Sequence, residues 1–441
     1  MSIAADTQIF CQPQIATELP RPDEWPEPPG PEAFAGIAGK FVEAVAPHIE
    51  ADSVALLAQF LTAAGCAIGP GPHLTVGANR HEPRLFVVLV GSTSRSRKGS
   101  SLAWVRHVIE TADPSFSERW RSGLSSGEGL IYAVRDEVTE WRPGKGETPG
   151  CYVVVDPGIS DKRLFAAEGE YSRVLRVAER EGNVLSETLR LAWDGAPLET
   201  MTRSAPVRAR KPYVAIVGHI TVDELRRCLT EKAAANGYGN RHLWLAVRRS
   251  KLLPDGGSLR VDDLAPLAAD VRECLRYARS LREVRRSPSC IEMWRAVYPS
   301  LTKDEPGLCG SLVARAEAQT LRLSLVYALL DMSETVEPRH LLSALSLWAY
   351  AERSARYIFG DSLGDPVADE ILRALRRSPQ GLTRTEVHNL FGRNLSAGRI
   401  AAALGSLRRY GLVEVVQDET HSRSIERWAC VRRYEKNEFN E

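Results

Sequence analysis

Leu85-Phe86-Val87-Val88-Leu89-Val90-Gly91-Ser92-Thr93-Ser94-Arg95-Ser96-Arg97-Lys98-Gly99-Ser100-Ser101 is the stretch that decides the fold. Its first six residues are continuously apolar, the pattern of a strand covered on both faces in a parallel α/β sheet. The strand runs into a small, basic loop, and an amphipathic helix is predicted from Leu102 to Ile109. A phosphate-binding loop needs this placement. Small residues let the backbone N–H groups curl toward phosphate oxygens, the helix N-terminus adds partial positive charge, a lysine neutralises the β/γ-phosphates and a following hydroxyl binds Mg²⁺. The usual spacing would put Ser96 at the second glycine and Arg97 at the lysine; here Lys98 and Gly99 follow one place later. The candidate nucleotide contacts are therefore Gly91, Ser94, Ser96, Arg97, Lys98, Gly99, Ser100 and Ser101, with Lys98 as the phosphate lysine and Ser100 or Ser101 as the metal hydroxyl. The competing reading is a serine-rich basic loop that caps a helix and binds no nucleotide.

Outward from this stretch, His73–Val76, Tyr152–Val155, Leu164–Ala167, Tyr213–Val217 and His242–Val247 read as further strands, several separated by helical patterns. Strands alternating with helices predict a doubly wound α/β domain over about 70–255. Upstream lie a proline-rich arm (1–31) and a helical pair; the apolar run from Val54 to Gly69 is short, carries Gln59, and reads as a buried helix, not a membrane span. Residues 258–360 are helical in pattern, and a short domain occupies 366–441. A formal charge of +1 excludes a global field that draws the chain onto nucleic acid, so DNA contact must come from local basic patches. The eight cysteines form no CxxC pair and none stands at metal-ligand spacing from a histidine, which argues against zinc and for reduced, cytosolic thiols.

Several stretches resemble a helicase-like, RecA-like P-loop family of phage and plasmid proteins, often fused or adjacent to primase–polymerase domains. Its variant loop has the form G-x-x-x-x-G-R-K-G-[TS]-[ST], which this chain matches except at Ser96. The resemblance spans roughly residues 32–358 and implies ATP and Mg²⁺ as ligands. It makes Glu128, in Gly127-Glu128-Gly129, the candidate general base, and it gives Arg163–Glu170 the form of a Walker B strand. Glu168 is then the metal-side acid and Glu170 a second candidate. His219, after the strand from Tyr213, corresponds to a polar sensor of the γ-phosphate. Arg241, in Gly237-Tyr238-Gly239-Asn240-Arg241, is the first candidate for an arginine finger acting on a neighbouring subunit, with Arg248 and Arg249 behind it. A finger in trans implies a homo-oligomer, expected to be a ring. Arg203, Arg208, Arg210 and Lys211 follow Trp193-Asp194-Gly195 and would track single-stranded DNA in such a ring.

In the C-terminal segment the order is helix, helix, helix, hairpin. Thr383 and Glu386 form a capping box and Ser396 caps the third helix, an order that resembles the winged-helix superfamily. Arg393, Arg399, Arg408 and Arg409 lie on or beside the third helix, and Arg423 and Arg427 on the hairpin; this fits duplex contact, while Asp418 and Glu419 at the hairpin tip oppose it. The sequence thus predicts a cytoplasmic, ATP-driven DNA motor or helicase-like ATPase in replication of a phage, plasmid or integrated element, with any primase a separate protein. The alternatives are a DNA-binding initiator or adaptor whose loop has lost turnover, and a nucleotide-gated transcription regulator.

Overall fold

A computed structural model describes residues 25–91, 98–144, 149–201, 206–229, 233–234, 236–305, 307–360, 365–420 and 423–431. Its centre is a five-stranded, all-parallel sheet of β1 (Phe86–Gly91), β2 (Trp120–Arg121), β3 (Arg163–Glu168), β4 (Tyr213–Thr221) and β5 (Leu243–Val247). The strands lie in the order β5-β1-β4-β3-β2. All six residues of β1 and all five of β5 are buried, as strands covered on both faces require.

Alternation along the strands divides the core in two. Val87 and Leu89 of β1 and Tyr213, Ala215 and Val217 of β4 pack on one face with α1 (Gly36–Val45), α2 (Ser53–Ile68) and α3 (Lys98–Ala112). Phe86, Val88 and Val90 of β1 and Val214, Ile216 and Ile220 of β4 pack on the other face with α4 (Gly127–Ala133), α5 (Tyr171–Ala178), α6 (Leu185–Asp194) and α7 (Val222–Cys228). The helix α2 is buried from Val54 to Ile68 because it lies between the sheet and other helices, which explains its apolar residues on every side. Asp52 caps it, accepting from the Val54 amide at 3.0 Å. Helices α8 (Ala265–Ser280), α9 (Ala316–Leu330) and α10 (Pro338–Phe359) share the core of the first face, so the helical region beyond residue 258 is continuous with the sheet's packing. Among the described residues no helix is long and apolar enough to cross a membrane.

Two strand expectations need correction, and one strand was not expected. Cys151–Asp156 is a strand, but it pairs only with Val138–Arg142 in a two-stranded ribbon outside the main sheet. Its Tyr152 is 72% exposed, so here an apolar run does not signify burial. Leu74–Val76 likewise pairs only with Asn79–His81. The main sheet has β5 at one edge and β2 at the other, and the two residues of β2 are too few to show a pattern. The Trp120 ring, packed 4.2 Å from the Phe165 ring centroid, fixes it there.

The C-terminal residues have a core of their own. Helices α11 (Pro366–Arg377), α12 (Arg384–Leu390) and α13 (Ala397–Arg409) pack with a small antiparallel sheet of Leu382–Thr383, Val413–Thr420 and Arg423–Cys430 around Ile371, Leu375, Leu404, Leu407 and Trp428.

Candidate functional site

The carboxyl edge of a parallel sheet is where loops leave the strands and where α/β proteins bind ligands. Here β1 ends at Gly91 and α3 begins at Lys98; residues 92–97 between them, including the predicted contacts Ser94, Ser96 and Arg97, lie outside the described residues. Lys98 is only 8% exposed. Burial lowers its pKa, and the Glu224 carboxylate opposes that shift by favouring the charged ammonium. Gly99 and Ser100 are exposed on the first turn of α3, whereas Ser101 is buried and donates its hydroxyl to the Lys98 carbonyl at 2.8 Å. That bond helps hold the helix start, and of the two hydroxyls Ser100 is the exposed one.

The strand β4 extends to Thr221, past the expected end at Val217, so His219 lies inside it, level with Leu89 of β1. The histidine points to the α2 face. Gln59 of α2 joins it to the start of α3: its amide Nε2 donates to the Lys98 carbonyl (3.2 Å) and lies 2.9 Å from His219 Nε2. Since the carbonyl can only accept, the nitrogen of Gln59 must face it. His219 Nε2 is then the acceptor, and the neutral ring carries its proton on Nδ1. Burial, and secondarily the Lys98 charge, push the His219 pKa down to about 3. Gln59 Oε1 is buried without a partner among the described residues. Nothing in the sequence marked Gln59 as a site residue; the only signal was a lone amide in an otherwise apolar helix.

Glu168 ends β3, level with Gly218 of β4 and therefore two strands, roughly 10 Å, across from β1. It is buried, and its Oε1 accepts from the amides of Gly123 (2.6 Å) and Leu124 (2.8 Å). One carboxylate oxygen thus anchors the loop that leads from β2 to Glu128. Gly123, at φ +92°, supplies a backbone turn that a side chain would disfavour. Glu128 lies exposed in the first turn of α4, which Ser126 caps by accepting from the Gly129 amide (3.0 Å). Glu170 is exposed just before α5. Neither acid makes a hydrogen bond or ion pair among the described residues. Glu224 is a further acid at this edge that the sequence reading did not single out: it completes a capping box with Thr221 at the start of α7 and accepts from Ser172 at 3.4 Å. Beneath these residues Gly218 permits close packing, since a Cβ there would lie 2.4 Å from the Tyr171 ring. The Tyr171 hydroxyl meets Tyr238 and His242, each at 2.7 Å.

The carboxyl edge thus brings together Gly91, Lys98, Ser100, His219, Glu168 and the loop bearing Glu128. Arg241, the first finger candidate, is elsewhere. It precedes β5, at the amino edge; it is 7% exposed, donates to the Gly237 carbonyl (2.6 Å) and pairs with Asp194 (2.7 Å). The guanidinium is buried, whereas Asp194 is exposed and also lies 3.9 Å from Arg315. Of the two weaker candidates, Arg248 follows β5 at the carboxyl edge and is exposed, its guanidinium 4.9 Å from the Trp25 ring centroid. Arg249 pairs with Glu50 at 3.8 Å.

Two of the basic residues expected to track DNA through the core are also internally engaged. Arg210 bonds Asp136 at 3.0 Å, a carboxylate shared with Lys162, and Arg208 lies 3.5 Å from Glu199. Lys211 is exposed, and Arg203 lies outside the described residues. In the C-terminal domain Arg399 forms a forked pair with Asp365 (2.9 Å from one nitrogen), and Asp365 also caps α11, so this guanidinium is engaged within the domain. Arg393 donates to Asn389 at 3.2 Å, while Arg408 and Arg409 are exposed at the end of α13. The side chain of Arg423 lies outside the described residues. Ahead of Arg408 the exposed positions of α13 include Gly398, Ala401, Ala402 and Gly405, none with a polar side chain.

No family model matches the chain, and no curated protein matches it.

Proposed function

We propose that the chain is a RecA-like P-loop ATPase that acts on DNA, with a C-terminal winged-helix domain. The observation that carries this reading is the junction at the carboxyl edge: a buried strand ending in Gly91, a helix opening on the buried Lys98, and His219 of the intervening strand tied to that helix start through Gln59. A helix N-terminus with a buried lysine attracts a phosphate chain, and a neutral histidine held with its proton on Nδ1 is a donor able to register whether the last phosphate is present. Ser100 and Glu168 would hold Mg²⁺, which supplies charge neutralisation on the phosphate oxygens when bound with nucleotide. Glu128, on the loop anchored by Glu168, would orient water. In a ring, Arg248 and not Arg241 would be the residue facing the neighbour's nucleotide.

The C-terminal domain adds contacts to DNA through Arg408 and Arg409, which follow a glycine and alanine stretch on the exposed face of α13. Replication of a mobile element, with a separate primase, is the setting implied by the family resemblance. A second reading, a nucleotide-binding initiator or adaptor without turnover, is favoured by Ser96 in place of the loop's second glycine and by the internal commitment of Arg241. ATP hydrolysis by the purified full chain, with and without single-stranded DNA, beside Lys98→Ala, separates the two. DNA-stimulated turnover that the substitution abolishes supports the motor; ATP binding without turnover supports the switch; absence of both ATP binding and turnover refutes the nucleotide reading.

A further inference from the structure

The amino edge of the sheet, opposite the candidate nucleotide site, carries an open cleft of about 810 Å³. It lies where the chain enters β1 and β4, and α9 forms its wall. Six cations line it: Arg80, Arg84, Lys211, Arg282, Arg315 and Arg322. The lining acids are Glu82, Asp194 and Glu317, so the formal balance is 6 − 3 = +3. Two of these acids are already in use, since Glu82 pairs with Arg84 and Asp194 is shared between Arg241 and Arg315.

The base of the cleft is built, not merely basic. Arg84 and Arg322 are 2% and 3% exposed. The guanidinium of Arg322 stacks 3.4 Å from the Trp193 ring centroid and is held by the carbonyls of Trp193 (2.8 Å) and Arg84 (3.3 Å). Arg84 in turn donates to the carbonyls of Ala192 and Pro212 and lies over the Tyr213 ring. Glu82 pairs with Arg84, whereas the carbonyls orient the Arg322 guanidinium without neutralising it. Buried polar nitrogens of three lining residues, Arg322 Nε, Trp193 Nε1 and His81 Nδ1, have no partner among the described residues. Two buried arginines side by side repel each other, and burying cations without full compensation is costly. A fixed, desolvated arginine with an unused Nε donor, beside a second buried arginine, suits the tetrahedral oxygens of phosphate.

We infer that this amino-edge cleft is a second anion site, built for a phosphate chain. Its volume falls within the range of small-molecule pockets, so it admits a polyphosphate or a few nucleotides of a single strand and not a duplex. The inference is independent of ATP binding at the carboxyl edge, which lies the length of β1 away, on the order of 15–20 Å.

The test uses the full chain carrying Lys98→Ala, so that the carboxyl-edge lysine cannot be the anion site. Inorganic tripolyphosphate is titrated by calorimetry, and a fluorescein-labelled oligo-dT by anisotropy. Both titrations are repeated after adding Lys211→Ala and Arg282→Ala, two exposed positions whose loss leaves the core intact, as matched thermal melts would verify. The added pair is expected to weaken tripolyphosphate binding at least tenfold. If the cleft's phosphates come from a nucleic-acid strand, oligo-dT affinity falls too, and the slope of log K against log salt drops by about 1.4, for two contacts at about 0.7 each. If they come from a free polyphosphate, oligo-dT binding is unchanged while tripolyphosphate binding falls. Tripolyphosphate that does not bind the Lys98→Ala protein, or binds equally well without Lys211 and Arg282, overturns the inference.

Discussion

Acidification offers a direct test of how His219 is held. Its folded pKa is about 3 and its ordinary value 6.5, with burial as the main cause and the Lys98 charge as the second. A histidine whose folded pKa is depressed stabilises the fold above its unfolded pKa, and that contribution is lost as pH falls through 6.5 toward 3. Between pH 7 and pH 5 the unfolded ring takes up most of one proton and the folded ring almost none, which removes about 2 kcal/mol from this residue. His242, at about 4, also chiefly through burial, removes a similar amount over the same interval. Urea unfolding followed by tryptophan fluorescence, on the wild type and on His219→Gln, measures the difference. Glutamine can still accept from Gln59 through its side-chain oxygen but cannot take up a proton. The wild type should therefore lose about 2 kcal/mol more than the variant between pH 7 and pH 5, while the share from His242 cancels. Equal losses in the two proteins would show that His219 is not buried and neutral, and would remove the basis for treating it as an Nδ1–H donor toward phosphate.

Glu168→Gln should preserve the fold, since an amide oxygen still accepts from Gly123 and Leu124, yet lose Mg²⁺-dependent turnover at least tenfold; unchanged turnover at limiting Mg²⁺ would take Glu168 out of the metal site. Gln59→Leu leaves His219 Nε2 without its donor and the Lys98 carbonyl with Ser101 in place of two side-chain donors, at a cost of about 1–3 kcal/mol, partly offset by removing the unpartnered Oε1, and should lower turnover as well as melting temperature; a variant of full activity would mean that the bridge is only packing. Gly218→Ala forces a Cβ against the Tyr171 ring and should destabilise the core by about 1–3 kcal/mol in urea unfolding, with no effect expected if the ring can withdraw freely.

What the sequence discloses and what it hides follow from range. The strand from Leu85 and its loop are legible because burial on both faces writes itself into consecutive residues. Glu168 is legible because an acid directly after an apolar strand stands at the edge where strands end. Gln59 is not, because its meaning comes from His219, 160 residues away. The role of Arg241 depends on Asp194, 47 residues earlier, and a basic residue before a strand reads the same whether it is paired or free. Trp120–Arg121 is too short for periodicity, and Cys151–Asp156 shows that apolar composition specifies a strand without specifying the sheet it joins.

The strand order has a consequence for synthesis. Neither neighbour of β1 in the sheet is its neighbour in the chain. Its first hydrogen-bonding partner, β4, begins at Tyr213, which is 213 − 91 = 122 residues after Gly91. At about 5–20 residues per second, a ribosome needs roughly 6–24 s to deliver that partner. Throughout that interval β1 lacks both of its sheet partners, and the helices that share its core and are already made when it ends are α1 and α2. Yield in a cell should therefore depend on translation speed and chaperone supply between Gly91 and Tyr213, quite apart from the stability of the finished fold.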